Sequence, residues 1–349
     1  MNFTPINTAL CSFGMSGYVF HAPFISANPK FNFYGVLERT KDNAHEKYRN
    51  VKTFRTLEEM LADENIELVI VNTPSVTHYD LAKQVINASK NLIVEKPFTA
   101  TVAQAEELNQ LAKEKNITLS VYHNRRYDSD FKTVKKILDE GWLGNIIDAE
   151  IHYDRFEPEL SYKAHKEMPT AAVGSLYDLG SHLIDQALVL FGLPNAVYAD
   201  LNTYRPGSKV EDYFDVKLFY PTFKVTLKSS YFVREPLPGN IFHGTKGSFI
   251  KSKSDVQEKG LQAGKTPGTK DWGKEPENEK GLLHTEKDGK IIKEYIPTIN
   301  GNYMEYFDGI YDAIRNHKSV PVSGKEGMNV IKIIEAAIRS NKERRLIDL

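Results

Sequence analysis

The first 122 residues alternate short apolar runs with amphipathic segments. Residues 66–71 form a nearly continuous apolar run, which is typical of a strand buried on both faces. Asn72-Thr73-Pro74 ends that run, because proline lacks an amide donor and restricts the residue before it. Strands are predicted at 6–13, 31–37, 66–71, 91–95 and 117–122, and helices at 18–27, 44–48, 57–61, 76–89 and 101–115. This alternation of strands and helices predicts a parallel sheet with helices on both faces.

The pattern changes after a helix predicted at 129–140. Apolar and polar residues now alternate with a period of two, which predicts antiparallel strands with one packed face. These strands are expected at 146–156, 197–204, 212–219, 223–232 and 247–251, with a helix at 176–191 and two closing helices at 302–317 and 325–341. Residues 253–290 are rich in Lys, Gly, Glu, Thr and Pro, and we expect them to form a long surface excursion.

The predicted fold class is therefore α/β, in two domains. Residues 1–124 are expected to form a Rossmann dinucleotide-binding domain around the parallel sheet. Residues 125–349 are expected to form an α+β domain with an open, mostly antiparallel sheet that binds substrate. The outer face of that second sheet is a suitable place for contact between subunits, so we expect a homodimer or homotetramer.

Composition excludes several classes of protein. Cys11 is the single cysteine of 349 residues, so an internal disulfide framework is excluded, and no metal site is expected. The formal net charge of −1 gives no reason to expect nucleic-acid binding. No signal peptide and no membrane-length apolar stretch is visible, and we expect a cytoplasmic protein.

A glycine-containing segment follows the first predicted strand and begins the first helix. Residues Ser12 to Gly17 match the G-x-G-x-x-G fingerprint, with serine in the first glycine position. Gly14 would let the backbone approach a pyrophosphate, and Gly17 would let the helix pack against the strand. From this segment we assign Phe13, Gly14, Ser16 and Gly17 to cofactor binding.

Two charged residues at the end of the second strand bear on the choice of cofactor. Glu38 stands where an acid would accept hydrogen bonds from the ribose of NAD. Arg39 would instead favour the 2′-phosphate of NADP, or would simply be a surface arginine. An acid directly at the strand end favours NAD, and both cofactors stay open.

Three motifs stand out along the chain: Glu95-Lys96-Pro97, the stretch from Asn72 to His78 and the stretch from Gly174 to Asp185. They resemble the glucose–fructose oxidoreductase, inositol dehydrogenase and MocA family (Gfo/Idh/MocA), and the resemblance covers nearly the whole chain. Residues 121–131 and Phe20-His21-Ala22-Pro23 are similar to the scyllo-inositol dehydrogenase branch. The resemblance implies an NAD(P)-dependent dehydrogenase that acts on CH–OH groups of a cyclic polyol or sugar.

The resemblance also implies roles for individual residues. It implies that His182 is the general acid/base, that Lys96 hydrogen-bonds the reacting hydroxyl, and that Asp178 contacts the substrate or orients the histidine. Substrate contacts are implied for Arg125, Arg155 and Asp185. Cofactor contacts are implied for Thr73, Pro74, His78 and Glu95.

The residue pattern supports the central group independently. On a helix, Asp178, His182 and Asp185 are spaced i, i+4 and i+7 and share one face amid apolar neighbours. Alcohol oxidation needs a base for the hydroxyl proton, and histidine titrates in the useful range. A nearby lysine would stabilise the developing alkoxide.

Structural alternatives stay open for each of these residues. Ser175 and Asp178 also satisfy a helix capping box, and His182 is also consistent with a core histidine. Arg125 and Arg126 are also consistent with structural salt bridges, Asp185 with a surface acid and Lys96 with an ordinary surface lysine. For the whole chain, the alternative is a catalytically silent dinucleotide-binding sensor on the same fold.

Overall fold

The computed structural model describes residues 4–163 and 166–349, and packing divides the chain into two compact units. The first unit contains the residues up to Asn124 together with Gln257–Trp272 and Asn302–Met328. The second unit contains Arg125–Val256, Gly273–Gly301 and Asn329–Leu349. Two later segments of the chain therefore belong to the unit that the first 124 residues begin.

A six-stranded parallel sheet forms the centre of the first unit. The strands are β1 (Ile6–Leu10), β2 (Phe31–Leu37), β3 (Lys52–Phe54), β4 (Leu68–Val71), β5 (Asn91–Glu95) and β6 (Leu119–Tyr122). Their order is β3-β2-β1-β4-β5-β6, which is the typical order of a Rossmann fold. All four residues of β4 are buried, as the apolar run predicted, while the short strand β3 was missed.

Helices surround this sheet. In the first unit they are α1 (Ala22–Ala27), α2 (Asn43–Lys47), α3 (Leu57–Ala62), α4 (His78–Asn87), α5 (Val102–Glu114), α8 (Val256–Gln262) and α9 (Met304–Asn316). An aromatic cluster joins the distant segments: Phe24 of α1 stacks on Phe307 at 5.5 Å and approaches Tyr303 and Trp272 at 6.0 and 6.1 Å. The two later segments therefore complete the apolar core of this unit.

The second unit is built on a nine-stranded mixed sheet. Its strands are β7 (Ile146–His152), β8 (Ala196–Asn202), β9 (Tyr213–Phe219), β10 (Lys224–Ser230), β11 (Asn240–Gly244), β12 (Gly247–Lys251), β13 (Gly281–Lys287), β14 (Lys290–Ile296) and β15 (Ile347–Asp348). The order is β14-β13-β12-β11-β7-β10-β9-β8-β15, and β7 and β10 are parallel while the other neighbours are antiparallel. Helices α6 (Ser129–Asp139) and α7 (Ser181–Phe191) belong to this unit, and α10 (Gly324–Glu343) runs from the first unit into the second.

The expected surface excursion at 253–290 is confirmed only in part, because many of its residues are exposed but the segment also forms regular secondary structure. These residues include α8, β13 and the start of the β13–β14 hairpin. Lys251 and Glu275 form a fully buried ion pair at 2.5 Å, and Glu275 also accepts a hydrogen bond from Ser129. A charged composition was taken as evidence of exposure, whereas Glu275, which belongs to this segment, is neutralised inside the second unit by Lys251 of β12.

The outer face of the large sheet is less apolar than the alternating sequence suggested. The aromatic and aliphatic residues of β9 and β10 point mostly inward, and the half-buried outer positions include Asp215, Lys217 and Lys228. Apolar outer positions form a row across four other strands, in which Ile241 pairs with Ile250, Ile250 with Leu282 and Leu282 with Tyr295. We call these four residues the apolar row.

No helix within residues 4–163 and 166–349 is long and apolar enough to cross a membrane. Within the same residues, no group of three or more His, Cys, Asp or Glu side chains is arranged to hold a metal ion.

Candidate active site

The glycine segment is held by a pair of polar residues after β1 and β4. The Asn72 side chain accepts a hydrogen bond from the Ser12 amide at 3.0 Å and donates to the Ser12 carbonyl at 2.9 Å. The Ser12 hydroxyl donates to the Asn72 carbonyl at 2.9 Å. Serine in the first glycine position therefore anchors the turn.

The two glycines of this segment differ in their surroundings. A Cβ on Gly17 would lie 2.5 Å from the Ser12 carbonyl oxygen, so only glycine fits against this turn. A Cβ on Gly14 would meet only Ser12 Oγ, at 4.0 Å, so the backbone there is open to a close approach. The segment thus fits a dinucleotide pyrophosphate. Phe13 packs edge-on against Tyr18 and Tyr48 beside it.

Glu38 is occupied by its own chain. Its two carboxylate oxygens accept the backbone N–H groups of Asn43 at 3.2 Å and Ala44 at 3.0 Å, at the start of α2. Arg55 donates to the Glu38 carbonyl and to both carboxylate oxygens of Asp42, which holds the loop between them. Arg39, in contrast, is solvent-exposed in this loop. The sequence prediction did not anticipate the capping role of Glu38, because it depends on how the loop turns back.

Glu95 lies buried at the end of β5. One carboxylate oxygen accepts hydrogen bonds from Ser16 at 2.6 Å and His21 at 2.8 Å, and the other accepts the Lys96 amide at 3.1 Å. Burial opposes ionisation, yet the hydrogen bonds from His21 and Ser16 hold the pKa of Glu95 below its ordinary value. Glu95 therefore connects the glycine segment to the backbone at Lys96.

His78 links the loops that follow β4 and β5. Its Nε2 lies 2.9 Å from the Thr73 carbonyl oxygen and its Nδ1 lies 2.8 Å from the Pro97 carbonyl oxygen. Burial lowers the pKa of His78, although both carbonyl groups favour the protonated ring. Both nitrogens face the protein backbone, so His78 fixes the two loops. The Thr73 hydroxyl, in the first of them, lies 2.8 Å from that of Thr77.

The predicted helix at 176–191 begins with a π-helical turn, Leu176–Gly180, and continues as α7. His182 is buried at 5% exposure. Asp178 is partly exposed and accepts a hydrogen bond from Lys166 at 2.7 Å. π-Helical turns occur often at functional sites. The capping-box alternative is not realised, because the Ser175 side chain makes no capping hydrogen bond.

Two predicted substrate contacts lie in buried ion pairs of the second unit. Asp185 accepts two hydrogen bonds from Arg126, at 2.8 Å from Nε and 2.6 Å from Nη2. Arg125 pairs with Asp128 at 3.2 Å and with Asp255 at 2.9 Å. Burial raises the pKa of Asp128 to about 7 even beside this arginine. These distances support the alternative in which Arg125 and Arg126 form structural salt bridges.

Arg155 has a different environment. Its side chain is about one-third exposed, and its nearest carboxylate, Glu157, is 3.6 Å away. Its guanidinium lies 5.2 Å from the ring centre of Tyr153. Burial, followed by the charge of Asp178, raises the pKa of Tyr231 to about 12, and Arg155 opposes that rise. Arg155 and Tyr231 thus lie within the electrostatic range of Asp178.

Sequence reasoning missed several residues at these places. Asn72 and His21 lie within the segments that were singled out, yet neither was given a role. Tyr231 and Lys166 come from loops without a recognisable motif, so no local signal identifies them. Lys96 follows β5 in the first unit and is half-buried, whereas Asp178 and His182 belong to the second unit.

The strand order of the parallel sheet and the glycine turn are those of a dinucleotide-binding domain. Residues 6–123 match the model of the oxidoreductase family with an NAD-binding Rossmann fold, and residues 135–349 match that of the C-terminal alpha/beta domain of the same family. The chain therefore belongs to the Gfo/Idh/MocA oxidoreductase family, as the motifs predicted. It is an NAD(P)-dependent oxidoreductase.

Similar proteins match over the full length. The scyllo-inositol 2-dehydrogenase (NADP(+)) IolW of Bacillus subtilis is 39% identical over 99% of this chain and 96% of its own. A Bacteroides fragilis protein of known structure is 45% identical, with a TM-score of 0.91 over 99% of this chain and all of its own. An oxidoreductase from Bacillus cereus is 35% identical, with a TM-score of 0.91 over 99% and 98% of the two chains.

Proposed function

We propose that this protein transfers hydride between the nicotinamide of its cofactor and a secondary alcohol carbon of a cyclic polyol or sugar. The observation that carries the proposal is the buried His182, four residues after Asp178 on one helix. A histidine in that position suits a general base for a hydroxyl proton. The nicotinamide, when bound, accepts or supplies the hydride.

Each residue has a defined task in this proposal. His182 removes the hydroxyl proton during oxidation and returns it during reduction. Asp178 holds the substrate or the imidazole, and Lys96 stabilises negative charge on the same oxygen. Since Asp185 and Arg125 are engaged in buried ion pairs, Arg155 is the arginine we assign to a substrate hydroxyl.

An inositol-like substrate is supported by the relative from Bacillus subtilis, whose printed name is scyllo-inositol 2-dehydrogenase. A ring that carries several hydroxyl groups needs several polar contacts to select one carbon. Arg155, Asp178 and Tyr231, which interact electrostatically in the second unit, provide donors and acceptors of that kind.

We propose NADP as the preferred cofactor, against the sequence-based preference for NAD. That preference rested on Glu38, and both of its carboxylate oxygens bind the N-terminus of α2. The exposed Arg39 is then the residue best suited to a 2′-phosphate. The name of the relative from Bacillus subtilis also specifies NADP(+).

We further propose that the protein is a cytoplasmic homo-oligomer that associates through the outer face of its nine-stranded sheet. The apolar row supports this assignment, because four apolar side chains in register across neighbouring strands form a contiguous apolar surface. The charged outer positions of β9 and β10 would then set the register between copies.

The alternative is a sensor that binds the dinucleotide without chemistry. Absorbance at 340 nm, followed with NAD or NADP and a panel of inositols and sugars, separates the two. Cofactor reduction with at least one polyol is the expected result. Tight cofactor binding without turnover on any member of the panel would favour the sensor.

A further inference from the structure

The helix that carries Asp178 and His182 receives its N-terminal partner from a distant part of the chain. The Leu176 amide donates to the Glu211 carboxylate at 3.2 Å, and the Ser175 amide donates to the Glu211 backbone carbonyl at 2.9 Å. Glu211 lies two residues before β9. One residue therefore satisfies two amide groups that the first turn of a helix leaves without intrahelical partners.

Gly174 makes this arrangement possible. Its φ of +109° lies in a region that residues with side chains rarely adopt. A Cβ at position 174 would overlap the Glu211 carboxylate, so the carboxylate occupies the space that a side chain would fill. The pairing of a glycine at 174 with an acid at 211 is therefore specific in shape as well as in hydrogen bonding.

We propose that Glu211 is a positioning residue, which fixes the first turn of the helix and thereby the placement of Asp178 and His182. This inference rests on the proposed function, because it assigns those two residues to the reaction. Glu211 does not itself touch the reacting atoms. It replaces the Ser175 side chain that a capping box would have used.

The charge of Glu211 is sensitive to its surroundings. Burial raises the pKa of Glu211 to about 7, although the amides of Glu211 and Leu176 favour the carboxylate, and the neighbouring Asp212 raises it further. From the helix, Tyr177 interacts with Glu211, and it also interacts with Glu335 of α10. No cation among these groups offsets the charge, so an anion at this position is held by amide dipoles.

The expected pH dependence follows from the sign of this shift. A carboxyl whose pKa is higher in the folded state binds its proton more tightly when folded. Its contribution to stability is therefore lost as the pH rises from 4.5, the ordinary value for glutamate, to about 7. Glu211→Gln keeps an acceptor for Leu176 but cannot ionise, so this loss should be absent in that variant.

The experiment compares the wild type with Glu211→Gln, Glu211→Ala and the exposed control Glu286→Gln. Hydrogen exchange of the amides at 175–182 reports on the turn without requiring activity. Glu211→Ala should speed exchange at Leu176 by about tenfold and lower kcat by about fivefold, on the scale of a lost helix cap. Glu211→Gln should retain most of kcat at pH 6.

Melting temperature is measured from pH 5 to pH 8 for the same proteins. The melting temperature of Glu211→Gln relative to the wild type should rise across this range, whereas that of Glu286→Gln should not. Unchanged exchange at Leu176 in Glu211→Ala, or a flat melting difference for Glu211→Gln, would overturn the proposal. An inactive wild type with the expected exchange and melting results would instead contradict the proposed function alone.

Discussion

Arg126 and Asp185 form an ion pair that is joined by two hydrogen bonds, and the Asp185 side chain is almost completely buried. Planar guanidinium and carboxylate groups match in this geometry, so the pair is stronger than a single contact. The sequence predicted that Asp185 contacts the substrate, but both of its carboxylate oxygens accept hydrogen bonds from Arg126.

The first prediction concerns this pair. Arg126→Ala and Asp185→Ala should each lower the free energy of unfolding by about 3 kcal/mol, because each leaves a buried charge without its partner. Chemical denaturation measures the loss, and Asp139→Asn, in an exposed pair with Lys135, is the control with less than about 1 kcal/mol. If Asp185→Ala were stable and had a raised KM for polyol, Asp185 would be assigned to substrate binding again.

The second prediction separates the two arginines first considered for substrate binding. Arg155→Ala should raise the KM for polyol by about tenfold with a smaller change in kcat, because the contact proposed for Arg155 would be present both before and during hydride transfer. Arg125→Ala should chiefly reduce stability, since two carboxylates lose their cation. Steady-state kinetics and thermal unfolding of both variants provide the test. An unchanged KM in Arg155→Ala would remove that residue from the substrate site.

The sequence was informative where a pattern repeats along a short stretch. The strand–helix alternation predicted the parallel sheet, and the glycine segment predicted the dinucleotide turn, because both are local. The capping of α2 by Glu38 and the pairing of Asp185 with Arg126 depend on residues that only folding brings together. The strands β13 and β14 were missed for a related reason: the charged segment before them is anchored by the buried pair of Lys251 and Glu275.

The third prediction concerns the cofactor. The wild type should show a higher kcat/KM with NADP than with NAD, and Arg39→Ala should lower the value for NADP by about tenfold while leaving that for NAD nearly unchanged. One charged contact to a phosphate is of that size. Lys115→Ala, which removes an exposed lysine elsewhere in the first unit, is the control. Preference of the wild type for NAD by more than tenfold would contradict the assignment.

The fourth prediction concerns the proposed chemistry. His182→Ala and Lys96→Ala should each lower kcat by about 10²- to 10⁴-fold, the usual contribution of a general acid/base group, while cofactor affinity is retained. If both act on one oxygen, the losses in the double variant should be less than additive. Turnover and cofactor fluorescence are measured together.

Oxidation by the wild type should increase with pH, as the coupled groups around the substrate hydroxyl lose a proton. Near-normal turnover in either single variant would refute that residue's role. Loss of cofactor binding in His182→Ala would show that the substitution disturbed more than proton transfer.

The fifth prediction concerns assembly. Light scattering should give a mass of two or four chains, and Ile250→Glu should shift the protein toward the monomer, because it places a charge in the middle of the apolar row. Glu286→Gln, on the neighbouring strand β13, should leave the mass unchanged. A wild-type monomer throughout the micromolar range would rule out this interface.

Two later segments of the chain, Gln257–Trp272 and Asn302–Met328, belong to the first unit. This limits which parts of the gene can be exchanged or expressed separately. A fragment that stops at Asn124 carries the whole dinucleotide motif, yet it leaves Phe24 without Trp272, Tyr303 and Phe307. Such a fragment would expose an aromatic surface and should aggregate when expressed alone. Exchange of cofactor modules between homologues at this junction should therefore succeed only when the two later segments are exchanged with it.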